Sequence, residues 1–392
     1  MISLVPRHRR TRILLFLGAL LATVTLYNSR LSRQHRHEIP PSFLTWEAEL
    51  GHIDGQANTY VPEKASQEFC AEYKWKPYLP SPDAEKRKRK VYDLFMINDE
   101  LDWLEIRLNT LHQQVDYFVV VESPRTFTGL DKPLHLKENW DRFTPFHDQI
   151  IHHVLDSDLD STRTWDHEDL QRNAMYDQVI PFLSGPQAIH SNDVLLVSDI
   201  DEIPRPHSIT ILKTCAFPKR LTLRSKFYYY SFQWQHRGPD WPHPQATIYT
   251  GPTTIRPADL RNNDGPLLSR LSDSADLWGA AWHCSSCFSR LSTLLNKMSS
   301  FSHTSYNKQE FRDKAAIVRK IRNGLDLFDR KGEVYDKIER NLDVPRYIVG
   351  NVTRFAYLLD RDPINANFED LGMAEAAVEA FNDARTGRNG GT

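Results

Sequence analysis

In the stretch DVLLVSDIDEIPRP, residues 193–206, an apolar run suited to the inside of a sheet ends in three carboxylates within four positions, Asp199, Asp201 and Glu202. Ligands of open α/β sheets bind beyond the carboxyl ends of the strands, so side chains just after VLLV project to where a substrate lies. Carboxylates this close repel one another unless a cation joins them, and a hard divalent ion, Mn2+ or Mg2+, is the natural one. Asp199 and Asp201 are therefore the first metal candidates, leaving open positions on the ion for the oxygens of a substrate diphosphate. The plainer reading is an acidic loop that closes a strand.

Two other carboxylate chemistries can be checked on the same letters. A calcium loop needs Gly at its sixth and Glu at its twelfth position, where counting from Asp199 finds Pro204 and Thr210. A phosphohydrolase of the haloacid-dehalogenase type, with Asp199 as nucleophile, stands as the alternative. It prefers Thr or Val where Ile203 lies, and its motif comes early in the domain. Here the alternation of strand and helix signals starts far upstream, at Val91.

VYDLFMI at 91–97 reads as the first strand, and Leu101, Leu104, Leu108 and Leu111 mark one face of a helix that Asn98 or Asp99 can cap. VDYFVVVES at 115–123 reads as a second strand, apolar enough to be buried on both faces. TWDHEDLQRNAMYDQVIPFL predicts a helix starting at Thr164 and broken near Pro181; Glu168 and Arg172 are spaced for an intrahelical ion pair. LTLRSKFYYYSFQW reads as one long strand with Tyr228, Tyr230, Phe232 and Trp234 on one face, and residues 309–324 as a helix stopped by Gly324. The sum is an α/β fold with a mainly parallel sheet over residues 91–378.

The chain has 392 residues and a net charge of −2, which gives no global basic field of the kind nucleic acid attracts. Residues 1–12 are basic and precede the apolar stretch 13–27, within a segment 13–31 read as a transmembrane signal-anchor or a cleaved signal peptide; the anchor puts all that follows in the lumen. Residues 32–90 read as a stem ending in the solvated run KRKRK, and 379–392 as a small, polar tail. Four cysteines, Cys70, Cys215, Cys284 and Cys287, suit an oxidising compartment and allow three pairings. Cys284 and Cys287 have metal-ligand spacing, but only His283 stands beside them, too few ligands for structural zinc. Asn351-Val352-Thr353 is an N-glycosylation acceptor pattern.

VYDLFMINDELDWLEIRLNTL, VDYFVVVESPRTFTG, DVLLVSDIDEIPRP, AAWHCSSCFS and FSHTSYN together resemble the bisecting N-acetylglucosaminyltransferase III family, the β-1,4-mannosyl-glycoprotein 4-β-N-acetylglucosaminyltransferases. The resemblance runs from about Val91 to Asp362. It implies a GT-A type nucleotide-sugar-binding domain, a Golgi type II membrane topology, UDP-N-acetylglucosamine as donor, Mn2+, inversion at the anomeric carbon and a mannose-bearing glycoprotein acceptor. Carried over by position, Asp199 and Asp201 match the metal motif and His303 the late metal or diphosphate ligand. Asn98, Asp99, Glu100, Glu122, Arg125 and Thr126 fall where such folds hold the nucleotide, and Arg172 where it could meet the diphosphate. Asp276 or His283 is the expected general base, Lys297 offers a charge to the phosphates, and Trp234 and Trp241 could touch the acceptor. The family reads GWHC where this chain has Ala281, which places the backbone of that loop in question, since glycine tolerates angles alanine does not. A member that binds glycans without turnover is the third possibility.

Overall fold

The structure is a computed structural model describing residues 36–38, 63–80, 87–156, 161, 163–300 and 308–378. The segment 13–31, parts of the 32–90 interval, His303 and the tail from 379 lie outside the described residues.

Val91–Ile97, the helix Leu101–Leu111 and Tyr117–Glu122 form the expected strand-helix-strand unit, with the strands parallel and Tyr92 beside Tyr117. Leu104, Leu108 and Leu111 are buried, as the spacing predicts. Glu100, rather than Asn98 or Asp99, is the residue at the helix start, and no side chain caps it. Val91 and Phe95 pack on one side of the sheet, while Tyr92 and Leu94 pack on the other against Met175, Ile180 and Leu260. Both faces are covered, which is why this strand reads as a continuous apolar run.

The sheet order is Arg36–Glu38, Ser274–Ser285, Arg220–Tyr229, Gln245–Ile248, Val194–Val197, Val91–Ile97, Tyr117–Glu122 and Ile150–Val154. Among the described residues five of its strand pairings are parallel and five antiparallel. The sheet is therefore mixed, and the expectation of a mainly parallel one is corrected. Apolar periodicity reports burial and says nothing of direction, and short connections between neighbouring strands enforce antiparallel pairing. The tyrosine run shows this. Tyr230 takes a φ of 67° and turns the chain, so the stretch expected as one strand is the hairpin Arg220–Tyr229 and Ser231–His236. The expected membrane segment lies outside the described residues; among the described residues no helix is long and apolar enough to cross a bilayer.

Other segments differ in detail. The helix from Thr164 ends at Ala174 and continues as a wider turn, Met175–Val179, before Pro181. The later helix covers Lys314–Arg322, capped by Asp313, whose carboxylate accepts from the Ala316 N–H at 2.7 Å. Gly324 beyond it has a φ of +59°, and a Cβ there would lie 2.3 Å from the Trp234 ring, so glycine is required twice over. Ala281 sits in regular strand opposite Pro204 and Ser225; the left-handed position is Gly279, two residues earlier, within the register shift. The alanine therefore leaves the backbone undisturbed.

Part of the expected stem is folded onto the domain. The helix Glu63–Glu72 carries Cys70, which is disulfide-bonded to Cys215, and Tyr73 beyond it is fully buried, its hydroxyl 2.8 Å from His207 Nε2. Nor is the run at 86–90 a solvated linker. Arg89 is buried, donating to the carbonyls of Asn192, Leu212 and Cys215, and Arg87 pairs with Asp193 at 2.8 Å.

Asp93 and Arg107 are a fully buried ion pair, with Nε and Nη2 of the arginine donating to the two carboxylate oxygens at 2.7 and 2.6 Å. Nη2 also donates to Ser198 Oγ, and Nη1 to the carbonyls of Glu202 at 2.9 Å, Asp199 at 3.2 Å and Ile200 at 3.3 Å. Removing one member of such a pair strands the other charge without water and costs about 3–5 kcal/mol. Arg107→Met is expected to lower the urea midpoint accordingly, with Asp93→Asn, Arg107→Met together losing less than the sum of the singles; additive losses would contradict the coupling.

Candidate functional site

Glu202, Ile203 and Pro204 form a short strand antiparallel to Ser274–Ser285, which sets Glu202 opposite His283. The preceding turn, held from beneath by Arg107, presents Asp199 and Asp201 at the carboxyl end of Val194–Val197.

Asp199 and Glu202 are engaged by arginines. Arg172 Nη1 donates to Asp199 Oδ1 at 3.0 Å while its Nη2 holds Glu168 at 2.8 Å, so the predicted intrahelical pair and the reach to the acidic turn coexist. Arg261, at the end of Pro257–Arg261, donates to Asp199 Oδ2 at 2.6 Å and to both oxygens of Glu202 at 2.7 Å. Glu202 also accepts from Trp241 Nε1 at 2.7 Å and from the Asp199 N–H at 2.9 Å, which fills its acceptor capacity. Burial pushes both carboxyls up, but Arg261 outweighs it and holds Asp199 below and Glu202 well below the usual carboxylate range.

Asp201, by contrast, faces His283 and Lys297. His283 Nδ1 lies 3.6 Å from Asp201 Oδ1 and Lys297 Nζ 3.7 Å from Asp201 Oδ2. The imidazole is buried, packs against Phe227 and Trp241 at ring separations of 5.1 and 5.0 Å, and its Nδ1 makes no hydrogen bond. Lys297 comes from the helix Leu291–Ser300, whose Asn296 donates to Asp99 Oδ2 at 3.4 Å. Burial lowers the Lys297 ammonium, but Asp201, Glu100, Asp199 and Asp99 outweigh that and raise it. Burial pushes the Glu100 carboxyl up in spite of Lys297, with Asp99 and Asp201 adding to the shift. A cavity of about 540 Å³ opens beside Asp99 and Glu100, walled by Trp103, Phe288, Arg142 and Tyr357.

The remaining expected residues lie elsewhere or serve other partners. Asn98 donates its N–H to Glu100 Oε2 at 3.0 Å. Glu122 is buried and accepts from the Leu136 and Lys137 N–H groups and from His152 Nε2. Arg125 pairs with Asp131 at 3.3 Å, and Thr126 bonds Thr128 and the Leu130 N–H within the same loop. Asp276 pairs with Arg224 at 2.7 Å near the start of the strand whose other end carries His283, roughly 20 Å away at strand rise. It is not brought to the acidic turn. Trp234 is buried in packing, whereas Trp241 is part of the site. Cys284 and Cys287 are disulfide-bonded, which removes them as zinc ligands and closes a small loop directly after His283.

A divalent ion needs several oxygens directed at one point. Among the described residues no three carboxylate, imidazole or thiolate groups are so placed. Glu202 is saturated, each Asp199 oxygen already accepts from an arginine, and Asp201 has a lysine and an imidazole beside it. In this arrangement the donor set does not fit a metal ion.

Arg107 and Arg261 escaped the sequence reading. Asp93, the one charged residue of an otherwise apolar strand, signalled that a buried cation must meet it, and Arg107 is the one lysine or arginine of the next helix. Nothing local marks Arg261, which is 59 residues from its partner Glu202.

An α/β sheet with acidic and basic side chains interleaved at the carboxyl ends of its strands is the layout of a protein that binds a charged ligand there. The chain belongs to glycosyltransferase family 17, whose sequence profile matches residues 7–364. It is 25% identical over 302 residues to the β-1,4-mannosyl-glycoprotein 4-β-N-acetylglucosaminyltransferases of Homo sapiens and Rattus norvegicus, an overlap covering 69% of this chain and 55% of each relative. The chain thus spans about half the length of these relatives. A solved mannosyltransferase from Pyrobaculum calidifontis, in complex with GDP-Man and Mn2+, overlaps 81% of each chain at 11% identity with a TM-score of 0.31, a likeness too slight to carry any argument.

Burial lowers the His243 and His207 imidazoles to about 4, Arg261 adding to the shift at His243. Their neutral forms contribute stability that is whole above the ordinary histidine value and lost as pH falls through about 4. Asp199 and Glu202, depressed in the fold, contribute stability present above the ordinary carboxylate values and lost as pH falls through their lower folded values. The urea midpoint should therefore fall steadily from pH 6.5 downward, and Arg261→Met should flatten its lowest part. A midpoint constant or rising toward pH 4 would contradict these assignments.

Proposed function

We propose that the chain is a glycosyltransferase that moves N-acetylglucosamine from UDP-N-acetylglucosamine to a mannose-bearing N-glycan, with inversion at the anomeric carbon. The reading is supported by family membership together with one observation: His283 and Asp201 meet at the carboxyl ends of the strands, with Nδ1 buried and lacking a hydrogen bond.

Inverting transfer is a single displacement. An acceptor hydroxyl oxygen attacks the anomeric carbon, the bond from that carbon to the diphosphate oxygen breaks, UDP leaves with the electron pair, and the hydroxyl proton passes to a base. His283 is that base, and Asp201 orients its ring and balances the positive charge it gains. Trp241, bonded to Glu202 and packed on His283, fixes the ring from the side and offers an apolar face to an acceptor sugar. Asn98, Asp99 and Glu100, beside the cavity, receive the nucleoside end of the donor. Arg125 and Thr126, in their partly exposed loop, complete that nucleotide side. His303, outside the described residues, stands as a further diphosphate ligand. The two disulfides suit an oxidising, lumenal compartment such as the Golgi, where glycoprotein acceptors are processed.

The phosphohydrolase alternative loses ground on geometry as well as on family, since a nucleophilic Asp199 would have to act with each oxygen accepting from an arginine. Purified protein is expected to release UDP from UDP-N-acetylglucosamine only when a mannose-terminated N-glycopeptide is present. His283→Gln, which keeps most of the buried side-chain volume, should cut kcat/KM roughly 10²–10⁴-fold, with circular dichroism establishing that the variant folds. Full activity in that variant would remove His283 as base; donor binding without transfer to any mannose acceptor would favour a non-catalytic role.

A further inference from the structure

The disagreement between the acidic turn and a metal site points to Lys297. Its ammonium lies 3.7 Å from Asp201 and draws its charge stabilisation from Asp201, Glu100, Asp199 and Asp99, the carboxylates that a divalent ion would be expected to join. Those groups come from two separate loops, after Val91–Ile97 and after Val194–Val197, and the Leu291–Ser300 helix reaches across to both through Asn296 and Lys297. The arginines cannot fill this role. Arg172 is buried, Arg261 is largely so, and both spend their N–H groups on Glu168, Asp199 and Glu202. His283 Nδ1, nine-tenths buried and without a hydrogen bond, faces the same Asp201 from the other side.

We propose that the Lys297 ammonium is the built-in counter-ion of this site, competing with any divalent cation for Asp99, Glu100 and Asp201 and pairing with the diphosphate of an arriving donor. For the identity of that ligand the inference rests on the transferase reading above. A flexible four-carbon stem lets the ammonium exchange a carboxylate for a phosphate oxygen without moving the backbone. A single charge that stays attached to the chain also keeps Asp99, Glu100 and Asp201 from repelling one another before the donor arrives.

The test uses the full chain and two probes, Mn2+ alone and UDP in the presence of EDTA, each followed by calorimetry. Lys297→Met is expected to bind Mn2+ at least about tenfold more tightly than wild type, and UDP in EDTA at least about tenfold more weakly. Lys297→Arg, which keeps the charge, should resemble wild type in Mn2+ binding, and circular dichroism melts establish that both variants fold. Equal Mn2+ affinity in wild type and Lys297→Met overturns the proposal, as does unchanged UDP affinity of that variant in EDTA. If wild type binds no UDP under any condition, the donor reading falls and the phosphate-pairing half of the proposal with it. The Mn2+ comparison then still decides whether Lys297 is the counter-ion.

Discussion

Arg107 has no contact with solvent, yet it holds Asp93 of the first long strand with two hydrogen bonds and the carbonyls of Asp199, Ile200 and Glu202 with its remaining N–H groups. The turn that carries the acidic side chains is thereby suspended from a buried cation on the neighbouring helix. A buried charge of this kind tolerates little displacement, because every lost hydrogen bond leaves a group that water cannot reach. The direction in which Asp199, Asp201 and Glu202 point is therefore set from inside the fold.

Above that support the site divides into two halves. Asp199 and Glu202 belong with Arg172, Arg261 and Trp241, a mutually satisfied network whose carboxylates stay ionised because arginine is beside them. Asp201, Glu100 and Asp99 belong with Lys297 and His283, at longer distances, and Asp99 and Glu100 line the cavity. The first half is scaffold, and the second holds the groups that can change partners. The geometry gives these groups separable parts.

Much of this was legible in the chain. The apolar run before Asp199 declared a buried strand, the leucine spacing declared the helix at Leu101–Leu111, and the crowding of carboxylates declared that cations must be near. What kind of cation could not be read, because Arg261 and Lys297 reach the turn across about 60 and 100 residues and leave no local trace. Strand direction was equally hidden: Tyr230 turns the chain within a run whose alternation fits one strand as well as two. The KRKRK run misled for a related reason, since Arg89 finds its carbonyl partners only when the fold brings Asn192, Leu212 and Cys215 together. Asp276, chosen for its position in the sequence, sits at the wrong end of a twelve-residue strand.

The Cys70–Cys215 cross-link moves the working edge of the globule. Composition would place a cut at Val91, leaving everything before it as dispensable tether. Such a cut would leave Cys215 an unmatched thiol, strip the cover from His207 and take away Tyr73. A unit that keeps this cross-link must therefore start upstream of Val91 and include the helix that opens with Glu63.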